Sequence, residues 1–284
     1  MSTPPLAPTG LRCAHQVDPL GVAPDRVRLS WRLEGAGTGR VQRAYQVLVT
    51  PEEPGASAAW DSGRVDSAVT ANIAYAGASL TAGGRYRWKV RVWDEAGSAS
   101  GWSEPARFEI ELDRTSGWHA FWIRPGRSGR RATPPSGAGP VDPVARALTP
   151  APYLRRAFTA DQPVTSARLY VTALGLYEAR LNGRRVGDGF LTPGWTDYTQ
   201  RIAYQTYDVT GLLNQGDNVL GAILAHGWYA GFFGFDPSGP EVTTAPPRNC
   251  WPSWCCGWPT AASSGSSRTG SGSPRWARSG TRTY

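Results

Sequence analysis

Residues that could do acid–base chemistry are scattered through the second half of the chain as single carboxylates. They are Asp188, Asp197, Asp208, Asp217 and Asp236. A carboxylate pair used in hydrolysis needs one acid and one base held at a fixed separation. Each of these Asp residues instead lies beside Gly, Thr or Asn or in other turn-like sequence, where carboxylates usually cap turns. We therefore predict no catalytic pair among them.

Patterns for nucleophiles, metals and nucleotides are equally weak. His226-Gly-Trp-Tyr229 has no Ser or Cys nucleophile at a matching turn, and Cys250, Cys255 and Cys256 have no fourth ligand at zinc spacing. No P-loop or dinucleotide-binding glycine pattern occurs. His119 has no other ligand at a suitable spacing, and we interpret it as a packing residue. The sequence thus predicts no metal and no cofactor.

The best candidates for a binding site are aromatic. Sugar sites on β-sandwiches place aromatic rings against the C–H face of the sugar and use Asp or Asn for its hydroxyl groups. Residues of these types are Trp195, Asp197, Tyr198, Trp228 and Tyr229. The alternative is that the rings pack within their own domain or dock onto a neighbouring domain. We favour packing or docking, and sugar binding remains open.

The elements that would position these residues are strands, beginning with an all-β domain over residues 8–112. Strand candidates alternate with Gly/Pro/Ser/Asp turns, and no helical period competes. They are residues 27–33, 44–50, 71–75, 85–94 and 106–111. In residues 85–94, apolar and basic side chains alternate strictly, which indicates one buried face. The domain resembles a fibronectin type III-like sandwich, with Trp31, Tyr86 and Trp88 in its core.

A connector over residues 113–150 leads to a second β-rich domain, residues 151–240. The connector combines an aromatic stretch, which we predict to be a docked strand, with a flexible Gly/Pro/Arg/Ala-rich linker. In the second domain, Asn182-Gly183 between apolar residues predicts a tight hairpin. A short helical turn near Asp208 and a strand over residues 218–224 come next. This order predicts an incomplete jelly-roll β-sandwich.

The last residues, 241–284, have a composition unlike the rest. After Glu241 they contain no Asp, Glu or Lys, but they hold three of the four cysteines and four of the thirteen tryptophans. A GC-rich gene translated out of frame gives such a composition. In the neighbouring frame, residues 249–259 read Leu-Leu-Ala-x-φ-Val-Leu-(Arg or Trp)-φ-Ala-x, with φ being Leu, Val or Met. Common GC-rich codons make this LLAQLVLRLAD, a typical strand. We predict an out-of-frame, disordered tail; the alternative is a genuine Cys/Trp-rich tail.

Charge and hydropathy exclude other classes of function. The net charge of +8 falls to +4 over residues 1–240, which carry 25 basic and 21 acidic side chains. No basic stripe interleaved with exposed aromatics occurs there, so we expect no nucleic-acid binding. The N-terminus lacks a signal-peptide pattern, and no stretch approaches 18 apolar residues, so we expect a cytoplasmic protein without membrane contact.

Several motifs, taken in order, resemble the N-terminal domain of bacterial α-L-rhamnosidases of glycoside hydrolase family 78. In the second domain they are Leu154–Phe158, Tyr170–Tyr177, Leu181–Gly187, Pro193–Tyr198, Tyr204–Thr210 and His226–Gly231. Upstream, Leu29-Ser-Trp-Arg32, Trp60-Asp-Ser-Gly63 and Val90–Asp94 are similar to the fibronectin-like module that precedes that domain. The resemblance covers about residues 8–238. The shifted reading of residues 242–253, HYGTAPELLAQL, is similar to the next segment of the family's sequences.

The resemblance implies inverting hydrolysis of terminal α-L-rhamnosides, with two carboxylates about 6.5–9.5 Å apart. In the family both come from a downstream (α/α)6 barrel, so no catalytic residue is transferred to this chain. We expect an accessory fragment that is inactive alone, with rhamnosylated glycans as family substrates and the missing barrel as its intramolecular partner. The alternative is a stand-alone carbohydrate-binding or docking module.

Overall fold

The computed structural model describes residues 6–113, 117–123, 151–230, 232–233, 241–242 and 253–257. The chain divides into two compact units, residues 1–118 and 119–284. Within the described residues, almost all regular structure is β, with one α-helix of four residues. No helix in this part of the chain is long and apolar enough to cross a membrane.

The first domain is a sandwich of two antiparallel sheets. One sheet contains β1 (Ala7–Cys13), β2 (Arg28–Glu34) and β6 (Ile73–Ala74), in the order β1-β2-β6. The other contains β3 (Ala44–Pro51), β4 (Trp60–Asp61), β5 (Val65–Asp66), β7 (Arg85–Trp93) and β8 (Ala106–Glu109), in the order β4-β3-β7-β8 with β5 also paired to β3. The all-β prediction for this domain is confirmed.

The strand β7 shows why the sequence folds this way. Tyr86, Trp88, Val90 and Val92 are all buried and join the core between the sheets. Trp31 on β2 is buried as well, and its indole N–H donates to the buried Gln42 side chain at 3.0 Å. The prediction that the first domain's large aromatics are core residues is therefore confirmed.

The outer face of the same strand carries interleaved cations and rings. The Arg91 guanidinium lies 5.1 Å from the Trp93 ring centroid and 5.0 Å from that of Trp102. Arg64 covers Trp93 at 5.1 Å, and Lys89 covers Trp102 at 4.8 Å. These contacts pack the half-buried rings with basic side chains of the domain itself.

The second domain is also built from two antiparallel sheets. One contains β9 (Tyr153–Ala160), β11 (Leu176–Leu181), β12 (Arg184–Arg185) and β14 (Gly216–Ala225), in the order β12-β11-β14-β9. The other contains β10 (Arg168–Leu174), β13 (Gln205–Asp208) and β17 (Ser253–Gly257), in the order β13-β10-β17. The helix α1 (Gly227–Ala230) comes after β14, and β15 (Phe232–Phe233) pairs with β16 (Glu241–Val242).

The predicted hairpin at Asn182-Gly183 is confirmed. It joins β11 to β12, and both of its residues have positive φ, +52° and +79°. The Asn182 amide N–H₂ donates to the Leu212 carbonyl at 2.9 Å and to Asn218 Oδ1 at 2.8 Å. Its Oδ1 accepts the Val219 N–H at 2.8 Å. One side chain therefore ties the turn to β14 and to the 3₁₀ turn Thr210–Leu212.

The tail differs in part from the prediction of disorder. Glu241–Val242 and Ser253–Gly257 are short strands, and β17 lies antiparallel to β10. These two strands were not predicted, because composition alone does not reveal a sheet edge that a short segment can join. Residues 243–252 and 258–284 lie outside the described residues.

The connector is described only over residues 117–123. No named strand lies there, and His119 and Phe121 are exposed. The interpretation of His119 as a packing residue was therefore wrong. The docked strand stays a prediction, and the flexible linker lies almost entirely outside the described residues.

Candidate aromatic binding surface

Four of the five predicted site residues form two ring pairs in the second domain. The Trp195 and Trp228 rings are parallel, with an interplanar angle of 4° and centroids 6.3 Å apart. The Tyr198 ring meets the Tyr229 ring edge-on at 5.3 Å and 81°. We call Trp195, Tyr198, Trp228 and Tyr229 the aromatic cluster. It joins two segments that are about thirty residues apart in the sequence.

The loop between β12 and β13 brings Trp195 and Tyr198 to the cluster. It is anchored by Tyr177 on β11, whose N–H donates to the Thr192 carbonyl at 2.9 Å and whose carbonyl accepts the Thr192 hydroxyl at 2.9 Å. The Gln205 amide donates to the Pro193 carbonyl at 3.0 Å, after a cis Thr192–Pro193 bond. Both anchors lie within three residues of Trp195.

A buried polar cluster supports these anchors. The Tyr177 hydroxyl donates to Gln205 Oε1 at 2.7 Å and lies 3.2 Å from the Tyr207 hydroxyl. Burial, and then the bond to Tyr207, raise the pKa of Tyr177, so the phenol stays protonated. A Cβ on Gly187 would lie 2.3 Å from the Tyr207 ring, and φ there is +71°. Only glycine fits where the loop leaves β12.

The helix α1 positions Trp228 and Tyr229. It comes directly after β14, and the chain turns at Gly227 with φ of +51°. A Cβ on Gly227 would lie 2.6 Å from Leu176 Cγ, and one on Gly175 would lie 2.3 Å from the Ala225 carbonyl oxygen. The two glycines therefore allow the chain after β14 to pack closely against the corner between β10 and β11.

Three large apolar side chains of this loop are exposed. Phe190 is 81% exposed, and Leu191 and Trp195 are each 59% exposed, whereas Tyr229 is buried. The Arg185 guanidinium covers one side of Phe190 at 4.5 Å. We call Phe190, Leu191 and Trp195 the apolar patch. Scattered exposed apolar residues are ordinary, but three within six residues of one loop are typical of a contact surface.

Sequence reasoning missed Phe190 and Leu191. They lie in Gly189-Phe-Leu-Thr-Pro193, between turn residues, with no strand or helix period. The available signal was the presence of two large apolar side chains in a segment without a buried face.

Asp197 forms hydrogen bonds within its own turn. Its Oδ1 accepts the Thr199 N–H at 2.9 Å and the Thr199 hydroxyl at 2.6 Å. These hydrogen bonds lower the pKa of Asp197. Its carbonyl accepts the Gln200 and Arg201 N–H groups at 3.0 and 2.8 Å. Asp197 therefore forms the turn that carries Tyr198, as carboxylates in turns commonly do.

The other carboxylates also serve local structure. Asp208 Oδ1 accepts the Thr210 N–H at 3.0 Å, and its Oδ2 pairs with Arg168 at 2.9 Å. Burial alone would raise the pKa of Asp208, but the bonds from Thr210 and the Arg168 charge together hold it below its ordinary value. Asp217 accepts the Thr159 hydroxyl at 3.2 Å. Asp188 is exposed, and Asp236 lies outside the described residues.

The part of the chain that the structure describes shows no candidate metal site and no activated nucleophile. No group of three His, Cys, Asp or Glu side chains there could hold a metal ion. His226 is half-buried, and burial lowers its pKa, which favours the neutral ring at pH 7. Cys13 is buried in the first domain, where burial raises its pKa to about 12.

Both domains match known families. Residues 8–113 match the Rha78A-like N-terminal immunoglobulin domain, and residues 162–250 match the α-L-rhamnosidase N-terminal domain. Fibronectin type III and immunoglobulin domains share the sandwich architecture, so the first match agrees with the predicted fold.

Whole proteins with this arrangement are much longer. An α-L-rhamnosidase from Alteromonas sp. is 37% identical over 230 residues, which are 79% of this chain and 24% of that protein. The structure of an α-L-rhamnosidase from Dictyoglumus thermophilum is 32% identical with a TM-score of 0.69, over 88% of this chain and 27% of that one.

A further structure, the Streptomyces avermitilis α-L-rhamnosidase complexed with L-rhamnose, is 27% identical with a TM-score of 0.74. The match covers 89% of this chain and 39% of the Streptomyces chain. The chain thus spans about a quarter of the length of the curated relatives. Its two sandwiches are the N-terminal, accessory domains of the α-L-rhamnosidase family, to which the chain belongs.

Proposed function

We propose that the second domain docks onto the catalytic domain of an α-L-rhamnosidase through the apolar patch. The observation that carries the proposal is the exposure of Phe190, Leu191 and Trp195 on a loop that is firmly anchored by Tyr177 and Gln205. An anchored apolar surface loses little conformational entropy when it is covered, so covering it is favourable. The accessory domains would then support a catalytic domain that hydrolyses terminal α-L-rhamnosides.

Docking also explains the geometry of the aromatic cluster. The Trp228 ring stacks on the Trp195 ring, and the Tyr229 ring packs edge-on against the Tyr198 ring. Trp195 is therefore held outward by rings that are themselves fixed by α1. A pre-positioned aromatic residue at the centre of an apolar surface is the usual anchor of a protein interface.

The proposal is tested with the Alteromonas relative as the source of a catalytic domain. Its N-terminal quarter is deleted, and the remaining part is mixed with the 284-residue chain. We expect a complex by size-exclusion chromatography, weakened at least tenfold by Phe190→Ser, Leu191→Ser and Trp195→Ser together, because the apolar anchors are lost.

The matched control is Tyr153→Ser. Tyr153 is an equally exposed aromatic, at 64%, but it lies on β9 rather than on the loop. Equal binding by the triple variant and the wild type, or equal weakening by the control, would contradict docking through the patch.

Sugar binding is the second candidate, because one face of the half-exposed Trp195 ring could receive a sugar ring. Calorimetry with L-rhamnose separates the two functions. Docking predicts no saturable heat; saturable heat that disappears in Trp195→Ala but persists in Tyr153→Ala would favour the binding module instead.

A further inference from the structure

The edge of β10 occupied by β17 lies outside the docking surface and needs its own explanation. Residues 169–173 of β10 are buried without interruption. On one side, β13 pairs with residues 168–171 only; on the other side, β17 pairs with residues 170–174. Buried backbone N–H and C=O groups must find partners. The second half of β10 therefore depends on a strand from the C-terminal segment.

The present occupant is poorly suited to that position. Ser253–Gly257 contains no β-branched residue, and Gly257 lies opposite Tyr170 in the register. Glycine weakens a strand because it supplies no side chain and loses the most entropy. Of these five residues, only Trp254 is of a type enriched in strands.

The neighbouring reading frame supplies a better occupant at the same place. Valine at position 254 and leucine at position 255 are forced by the Trp and Cys codons, and positions 253 and 257 become Leu, Val or Met. Only position 256 becomes Arg or Trp. The nucleotides that encode β17 therefore also encode a strong strand with apolar residues at 253, 255 and 257.

We propose that the edge of β10 that β17 occupies is an acceptor site for this apolar strand, and that the strand binds one residue out of register from β17. In the structure, positions 256 and 254 lie opposite Val171 and Ala173. Val171 and Ala173 belong to the core between the sheets. The same register would place the Arg or Trp at position 256 on the core side.

A shift by one residue removes this conflict. Because strand side chains alternate, the shift exchanges the two faces completely. Leucine at position 255 then lies opposite Val171 or Ala173. The large residue at position 256 moves to the side of Thr172, whose hydroxyl donates to the Ala203 carbonyl outside the core.

Disulfide cross-linking tests the acceptor site in the chain as it exists. Cys255 lies directly opposite Thr172. In Thr172→Cys, mild oxidation should join positions 172 and 255, identified by peptide mass mapping, because directly opposed strand residues lie within disulfide range. Cys13 should stay reduced because its raised pKa leaves little thiolate. If no bond from position 172 to the tail forms, the acceptor site is refuted.

The register is tested in a second chain, in which residues 249–259 are replaced by LLAQLVLRLAD. Thr172→Cys is combined with a single cysteine at position 254, 255 or 256. The proposal expects a bond to 254 or 256 and none to 255; a bond to 255 alone would overturn it. The replaced chain should also resist proteolysis longer than a control with serine at positions 253, 255 and 257. Equal cleavage rates would count against an apolar occupant. Neither outcome depends on docking through the apolar patch.

Discussion

At the scale of single residues, the site is built by hydrogen bonds beneath the rings rather than by the rings themselves. The Tyr177 hydroxyl donates to Gln205 Oε1 and lies within hydrogen-bond distance of the Tyr207 hydroxyl. The Gln205 amide in turn donates to the Pro193 carbonyl. The Tyr198 hydroxyl is also buried, but it has no hydrogen-bond partner among the described residues. The hydroxyl groups of these two tyrosines therefore have opposite energetic roles.

Replacing each tyrosine by phenylalanine should separate these roles. Tyr177→Phe should lower the free energy of unfolding by about 1–2 kcal/mol, since it leaves a half-buried amide oxygen of Gln205 without its donor. Tyr198→Phe removes a buried hydroxyl without a described partner, so we expect no loss. Urea unfolding followed by tryptophan fluorescence compares them. A loss of stability in Tyr198→Phe as large as that in Tyr177→Phe would contradict this assignment.

The pH dependence of stability should reveal Asp208. Its pKa in the folded state is lowered, so its charged form stabilises the fold above the unfolded pKa of about 3.9. That contribution is lost as the pH falls through the folded pKa. Asp208→Asn should therefore be less stable than the wild type at pH 7, and the difference should shrink below about pH 4.

Thermal unfolding between pH 7 and pH 2.5 measures this effect. Asp188→Asn, at an exposed carboxylate on the neighbouring loop, is the control and should behave like the wild type throughout. A difference for Asp208→Asn that stays constant over the whole range would exclude the titration of Asp208 as its cause.

At the scale of elements, the sequence predicted strands with a clear apolar pattern and missed β1, whose pattern is interrupted. The strand β7 alternates without a fault, and its predicted buried face is the observed one. The strand β1 contains Pro8 and Gly10, which usually mark turns. In the structure, Gly10 has φ of +56° and the register shifts between Thr9 and Arg12. Such a bulge interrupts the period on which a sequence prediction depends.

The candidate site shows the same limit. Ring types near a turn predicted the aromatic cluster, but not which ring faces which, because Trp195 and Trp228 meet only through tertiary packing. The turn at Asp197 was predicted from the turn-like residues around it, because that effect is local. The anchors at Tyr177 and Gln205 lie on separate strands and could not be paired from spacing alone.

The Asn182-Gly183 hairpin offers a test at this scale. Asn182→Ala loses three hydrogen bonds and places alanine at a positive φ, and we expect a loss of about 2–3 kcal/mol in stability. Asn182→Gly keeps the conformation and loses only the hydrogen bonds, so its loss should be smaller. The difference between the urea-unfolding midpoints of the two variants measures how much of the loss comes from the strained backbone conformation. Equal losses would mean that the positive φ costs nothing.

At the scale of the whole molecule, the described residues form two β-sandwiches. The carboxylates that the sequence offered are used in turns and ion pairs. An inverting glycosidase needs its two carboxyl groups about 6.5–9.5 Å apart, with room for water between them. We therefore predict that the 284-residue chain does not hydrolyse rhamnosides.

An assay with p-nitrophenyl α-L-rhamnopyranoside checks this prediction. The purified chain should release nitrophenol no faster than buffer, and the complete Alteromonas enzyme serves as the positive control. Turnover that survives further purification and disappears in Asp197→Asn or Asp208→Asn would show that a carboxylate assigned to structure takes part in catalysis.

The single lysine of the chain has a practical consequence. Lys89 lies in the first domain, on the outer face of β7 against the Trp102 ring. Lysine-directed coupling to a sensor chip therefore attaches the protein through its first domain. The loop that carries Phe190, Leu191 and Trp195 is then chemically untouched, and surface plasmon resonance can present it to a soluble analyte in a uniform way.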